Sequence, residues 1–155
     1  MIRQHILTNV DFRGAGLVFQ HLTRSLDQML IECFDEVNPD RAKASLNLNV
    51  ETVFTHSFQN LLERGEKSLG NLVLEFRAEN ILQNFDQFLT ASELIRSRGG
   101  TIAIDAIIPE SLGVIDLPRL GAKLAKVFWR PGTEAVLPQF KEAIQSLQQR
   151  GTVLV

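Results

Sequence analysis

Four polar residues interrupt apolar segments of this sequence and are its clearest candidates for chemistry. Asn47 stands in Leu-Asn-Leu, Glu75 in Leu-Val-Leu-Glu-Phe, Asp105 directly after Thr-Ile-Ala-Ile, and Lys126 in Ala-Lys-Val-Phe. A buried carboxylate is costly unless a cation or hydrogen-bond donors accompany it, so an amide, two carboxylates and an ammonium group would satisfy one another if they met. Carboxylate and amide oxygens also suit hard cations such as Mg²⁺, Ca²⁺ or Mn²⁺.

These residues predict a ligand site if the fold brings them together. We therefore take Asn47, Glu75, Asp105 and Lys126 as ligand-binding candidates, and the first three as candidate ligands of a divalent cation. The alternative is that each residue simply lies at the end of a strand, where the chain becomes exposed to solvent. In parallel α/β folds, ligands bind at the carboxyl ends of the strands, which is where we expect the four side chains to converge.

Short apolar strands alternate with amphipathic helices along the chain, which predicts βα units and a mostly parallel sheet. The fold class expected is α/β, as part of a TIM-barrel-like βα repeat. Predicted strands cover residues 44–50, 72–76, 101–104, 125–129 and 152–155. Predicted helices cover residues 17–37, 52–64, 80–98 and 138–150. Residues 4–12 fit either a further strand or an N-terminal arm.

The first predicted helix carries an apolar stripe at spacings of three and four residues, which should face the core. Its members are Leu22, Leu26, Met29, Leu30 and Cys33. Cys33, the one cysteine in the chain, is accordingly expected to be a buried structural thiol.

Composition narrows the function classes. The chain has 155 residues and a formal net charge of −2, and its acidic and basic residues are scattered along the sequence. A nucleic-acid site needs clustered Lys and Arg, so this distribution argues against a nucleic-acid polymer as partner. It is expected to form one domain, residues 1–155, with residues 1–14 as the arm or extra strand. No apolar run approaches the ~20 residues needed to span a bilayer, and no signal-peptide pattern opens the chain. A single cysteine excludes an intramolecular disulfide and favours a cytoplasmic setting.

Several segments resemble the EAL domain, a bacterial-type signalling family. Residues 45–49 resemble its Val-Asn-Leu-Ser strand, and residues 72–76 resemble its Leu-Val-Leu-Glu-Ile strand. Residues 100–105 resemble the strand that leads into its Asp-Asp-Phe-Gly-Thr-Gly loop. An ungapped count from there places Lys126 on the lysine of its Leu-Lys-Ile-Asp strand. The resemblance covers residues 17–155 and depends on the order and spacing of the segments.

The resemblance implies a TIM-type barrel that hydrolyses cyclic di-GMP with divalent metals. Asn47, Glu75 and Asp105 then fall on metal-binding positions of the family, and Lys126 falls on its active-site lysine.

The departures from the family pattern predict loss of catalysis. The Glu-Ala-Leu strand has no counterpart, and Ala106 stands in place of the second aspartate of the loop. The glycine-rich loop has become residues 107–110, Phe128 replaces the aspartate after the lysine, and the chain stops at Val155 before the last catalytic glutamate. Two-metal hydrolysis needs carboxylates that hold two ions and activate a water, so we expect no enzyme activity.

The sequence thus predicts a non-catalytic, EAL-like regulatory module that acts through protein contacts. It needs no cofactor, with residual binding of cyclic di-GMP or of Mg²⁺ or Ca²⁺ as an open expectation. A homodimer or a regulatory protein partner is expected, because an incomplete barrel leaves sheet edges unpaired. Two alternatives stay open: an active phosphodiesterase completed by missing segments, and an unrelated α/β enzyme that uses Asp105, Glu75 and Lys126.

Overall fold

A computed structural model describes residues 16–38, 42–65 and 68–155 of the chain. The predicted arm or strand at residues 4–12 lies outside these ranges. Within the described residues, no helix has the length and apolar character needed to cross a membrane.

The centre of the fold is a five-stranded sheet in which every neighbouring pair is parallel. Its strands follow chain order: β1 (Ala44–Asn47), β2 (Leu72–Arg77), β3 (Thr101–Ile107), β4 (Ala122–Val127) and β5 (Val153–Leu154). The α/β class with a parallel sheet is therefore confirmed. Strands in sequential order with right-handed crossovers place their connecting helices on one face, as in a barrel wall, and β1 and β5 are the edges of the described sheet.

Helices connect the strands and cover the core. They are α1 (Gly16–Glu32), α2 (Phe34–Val37), α3 (His56–Leu62), α4 (Ala78–Gln83), α5 (Phe85–Ser97), α6 (Thr133–Val136) and α7 (Lys141–Gln149). Short 3₁₀ turns span Val50–Phe54, Pro109–Ser111 and Leu137–Phe140.

Strand β2 shows how the sheet divides its two faces. Alternate side chains of a strand point to opposite faces, and Leu72, Leu74 and Phe76 are all buried on the helical side. The Phe76 ring meets Phe88 of α5 edge to face, with ring centres 5.4 Å apart. Glu75 consequently lies on the face opposite the helices.

The predicted helix at residues 80–98 is two helices in the structure. Asn84 leaves helical geometry with φ −129° and ψ 43°, so α4 ends before it and α5 begins after it. Its side-chain amide donates to the Asn80 carbonyl, and its own carbonyl accepts the Phe88 N–H. The break changes the direction of the chain, so apolar residues on the two sides of Asn84 no longer share one face.

The predicted apolar face of the first helix is wrong. The buried residues of α1 include Thr23, Asp27 and Ile31, whereas Met29 is 59% exposed. A shift by one residue turns the inward face by about 100°. The physical reason is Asp27, whose carboxylate reaches hydrogen-bond donors in the segment after β1 and so faces inward.

Cys33 is exposed, which corrects the prediction of a buried thiol. It stands at the junction between α1 and α2, where the helix is interrupted after Glu32. A residue outside the continuous helix no longer follows the helical stripe, and Phe34 takes the buried position instead.

Candidate functional site

The centre of the candidate site is an ion pair on the face opposite the helices. Glu75 in β2 is only 7% exposed. Its Oε1 accepts a hydrogen bond from Nζ of Lys126 at 2.6 Å and another from the hydroxyl of Ser45 in β1. The structure therefore brings together two of the four predicted site residues and adds Ser45, whose polar side chain follows the alternation of its strand.

The pair reaches across a whole strand. Glu75 lies on β2 and Lys126 on β4, and β3 runs between them. The residue of β3 in register with Glu75 is Ala103. Strands are about 4.8 Å apart, so the long lysine side chain spans about two strand spacings to reach the glutamate. Ala103 pairs with Leu124 of β4, so Lys126 lies two residues further along β4 and reaches Glu75 diagonally.

Asn47 and Asp105 lie on the flanks of this pair. Asn47 closes β1 in direct register with Glu75, on the same face of the sheet. Asp105 lies two residues beyond Ala103 in β3 and is in register with Arg77. Its Oδ1 accepts the backbone N–H of Ala106 at 2.8 Å, so this carboxylate also organises its own strand end.

A β-bulge occupies the end of β3 beside Lys126. Ile104 pairs with Ala125 and Ile107 pairs with Val127, so two residues of β3 stand opposite one of β4. Ala106, the second of the two, has φ +59°. Left-handed backbone is unfavourable for a residue with a Cβ, and it persists where surrounding contacts impose it. The chain departs from regular pairing at the level of the candidate site.

A divalent cation fits this arrangement poorly. The Lys126 ammonium already provides a positive charge at Glu75, and a metal ion would have to displace it or lie against it. In the described part of the chain, no cluster of three or more His, Cys, Asp or Glu is placed to hold a metal ion. Binding of Mg²⁺ or Ca²⁺ at Asn47, Glu75 and Asp105 stays a prediction, one that the ion pair does not favour.

A second polar cluster joins α1 to the segment after β1. The buried Asp27 Oδ2 accepts from the backbone N–H and side-chain amide of Asn49, at 2.8 and 2.7 Å, and from the Thr52 hydroxyl at 2.9 Å. Sequence reasoning missed this cluster. An aspartate within the apolar stretch of α1 is the signal that could have revealed it, because a carboxylate there needs donors from elsewhere.

Glu51 forms the neighbouring ion pair of the same region. Its Oε1 accepts from the Arg24 guanidinium at 2.8 Å. Burial acts to raise the pKa of Glu51, but the hydrogen bond from its own backbone N–H and the contact with Arg24 outweigh burial, so the pKa lies below its ordinary value of 4.5. This pair links α1 to the carboxyl side of β1.

An apolar groove lies on the helical side of the sheet, between α4 and the segment that connects β3 to β4. It consists of two adjoining cavities of about 290 and 370 Å³ that share Ala78, Leu82 and Ile115 as walls. The first cavity extends to Phe85, and the second extends to Ile108. We call this feature the α4 groove.

The α4 groove was not predicted from the sequence. The sequence predicted that Leu82 and Phe85 belong to the core face of one long helix. Because the helix is broken at Asn84, they are instead 66% and 42% exposed. Val114, across the groove, is 85% exposed. Asparagine is a weak helix former, so Asn84 in the middle of a predicted helix was the available signal.

Comparison of the chain with protein-family models finds no match, and comparison with curated proteins finds none either. The resemblance to EAL domains therefore stays a prediction that is based on the motifs and their spacing alone.

Proposed function

We propose that this chain is a non-catalytic, EAL-like signalling module that acts through protein contacts. The observation that carries the proposal is the engagement of Glu75 by Lys126 and Ser45. A carboxylate that activates metal-bound water must be available to the metal. Here one oxygen of the Glu75 carboxylate accepts from both an ammonium group and a hydroxyl.

The neighbouring positions support the same reading. The Ala106 side chain has no ligand atom, and its backbone is held in the left-handed region beside Asp105, whose carboxylate accepts the Ala106 N–H. The arrangement is suited to shaping a surface rather than to holding two ions a few ångströms apart. The exposed apolar groove next to this strand end supports a role in binding another protein.

Residual recognition of cyclic di-GMP is part of the proposal. The Lys126 side chain is 36% exposed while the side chain of its partner Glu75 is 8% exposed, so the ammonium group is the member of the pair that a phosphate would contact. Such an interaction would be weak, because the phosphate competes with Glu75 for the same ammonium group.

A hydrolysis assay tests the absence of catalysis. Purified protein with cyclic di-GMP and either Mg²⁺ or Mn²⁺ is expected to yield no linear dinucleotide above a buffer control. Formation of that product by the wild type, and its loss in the Lys126→Ala variant, would overturn the proposal.

Calorimetric titration tests the residual binding. If cyclic di-GMP binds at this site, Lys126→Ala should weaken binding while Lys123→Ala, an exposed lysine on the same strand, should leave it unchanged. Equal weakening by both substitutions would assign the effect to general charge and exclude Lys126 as a specific contact. Adding Mg²⁺ or Ca²⁺ to the same titration measures the predicted cation binding directly.

A further inference from the structure

Phe128 is an exposed aromatic residue close to the Glu75–Lys126 pair. It directly follows β4 and is 56% exposed. Its backbone N–H donates to the Ile107 carbonyl of β3 at 2.7 Å, so the hydrogen bonding between β3 and β4 continues to this residue. The backbone that carries the ring is therefore held by the sheet.

Lys126 and Phe128 lie on the same face of the sheet. Between them, the Val127 N–H donates to the Val155 carbonyl at 3.0 Å, on the other side of β4. Backbone donors that alternate between the two neighbouring strands indicate an extended segment, in which side chains two residues apart share a face. The Cα atoms of Lys126 and Phe128 are thus about 7 Å apart along the strand.

The segment after Phe128 is braced against the same end of the sheet. The Arg130 N–H donates to the Thr133 hydroxyl at 3.0 Å, and Thr133 is buried. The Arg130 guanidinium donates to Glu110 at 3.0 Å. Trp129, the residue that follows Phe128, is also 56% exposed, but alternation places it on the opposite face. Phe128 is therefore the aromatic residue on the Lys126 side of this strand end.

The charges on this face balance one another. Glu75 is paired with Lys126. Asp105 on β3 is in register with Arg77 on β2, which is exposed. Two carboxylates and two basic groups therefore share this end of the sheet, and net charge alone gives an anion little reason to bind. A ligand of this face needs a further contact, and the Phe128 ring offers a flat apolar one.

We propose that Phe128 stacks on the base of a nucleotide whose phosphate contacts Lys126. A nucleotide joins a planar base to a phosphate through one sugar, so it can contact the ring and the ammonium group together. Bases stack on aromatic side chains whatever their identity, because every base has a π face. An ammonium group binds phosphate as a point charge, so this mode of binding needs no bridging metal ion.

The stacking role of Phe128 rests on the residual phosphate contact proposed for Lys126 and adds the base to it. The two can fail separately. If Lys126→Ala weakens nucleotide binding and Phe128→Ala does not, the phosphate contact stands and the stacking role is refuted.

Calorimetric titration in the presence of EDTA tests the nucleotide site. Cyclic di-GMP and GMP are the nucleotide probes, and inorganic phosphate is the probe without a base. Both nucleotides should bind the wild type without a divalent cation and at least about tenfold more tightly than phosphate does. Equal affinity for phosphate, a requirement for Mg²⁺, or no nucleotide binding at all would each refute the proposal.

Substitution of the ring tests the stacking contact itself. Phe128→Ala should weaken nucleotide binding at least about fivefold and leave phosphate binding unchanged, because the base alone loses a contact. Phe128→Tyr keeps the aromatic ring and should keep the affinity of the wild type. Undiminished nucleotide binding by Phe128→Ala, or an equal loss in Phe128→Tyr, would overturn the assignment.

Trp129→Ala is the matched control. It removes a neighbouring aromatic side chain of the same fractional exposure from the opposite face. Both alanine variants should be folded by circular dichroism, because side chains this exposed contribute little to the stability of the chain. Trp129→Ala should leave nucleotide binding unchanged. Equal weakening by Trp129→Ala and Phe128→Ala would assign the effect to the whole strand end and exclude Phe128 as a specific contact.

Discussion

Replacing Lys126 by Met should lower the free energy of unfolding by about 2 kcal/mol. The methionine keeps an unbranched apolar stem but removes the ammonium group, so the buried Glu75 carboxylate loses its 2.6 Å partner and keeps the Ser45 hydroxyl. Breaking a fully buried ion pair costs about 3–5 kcal/mol, and breaking an exposed one costs about 0.2–1 kcal/mol. Side-chain exposures of 36% for Lys126 and 8% for Glu75 place this pair between those limits.

Replacing Glu75, the other member of the pair, should lower the free energy of unfolding by less. Glu75→Gln keeps an oxygen that accepts from Ser45, and the Lys126 ammonium is exposed enough to be hydrated, so we expect a loss of about 1 kcal/mol. Combining both substitutions should be less damaging than the sum of the single ones. The coupling energy between the two positions is expected to be about 1 kcal/mol in a double-mutant cycle.

Urea denaturation at neutral pH measures these differences. Lys123→Met is the matched control, because Lys123 lies on the same strand and is exposed. It should stay within about 0.5 kcal/mol of the wild type. The reasoning fails if Lys126→Met is as stable as Lys123→Met, or if the Glu75→Gln variant loses more stability than Lys126→Met.

Three further predictions concern single positions. Ala106→Gly should raise the free energy of unfolding by about 0.5–1 kcal/mol in urea denaturation, since glycine adopts φ +59° without strain; a loss of stability would contradict this. Asp27→Ala should lower it by about 3 kcal/mol, because two part-buried donors of Asn49 and the buried Thr52 hydroxyl lose their acceptor; a change below about 1 kcal/mol would remove Asp27 as the anchor of α1. The Glu51 pKa is depressed on folding, so the pair with Arg24 stabilises the fold above pH 4.5 and loses this contribution as the pH falls through the folded pKa. Glu51→Gln should therefore be less stable than the wild type at pH 7 and converge with it in acid, and a gap that widens in acid would contradict the assignment.

Local sequence patterns were sufficient for the order of the strands in the described sheet. The apolar run that begins at Leu72 indicated β2, and the glycine at position 99, with φ +80°, ends α5 as its place after the helical pattern suggested. Alternation of such strands with helices predicted a parallel sheet, which the structure has. These features depend on residues close together in the chain, so a single sequence contains the information for them. The choice of Asn47, Glu75, Asp105 and Lys126 followed from the same patterns, and their use by a ligand stays a prediction.

Tertiary structure decided how distant residues meet. Glu75 and Lys126 are 51 positions apart, and their contact depends on the order and register of three strands. The inward face of α1 depends on the hydrogen bonds that Asp27 accepts from another segment, and helical periodicity cannot predict these contacts. The α4 groove depends on the break at Asn84. Each of these outcomes is set by packing and hydrogen bonding between separate elements, and the energies involved exceed the local preferences that a sequence pattern records.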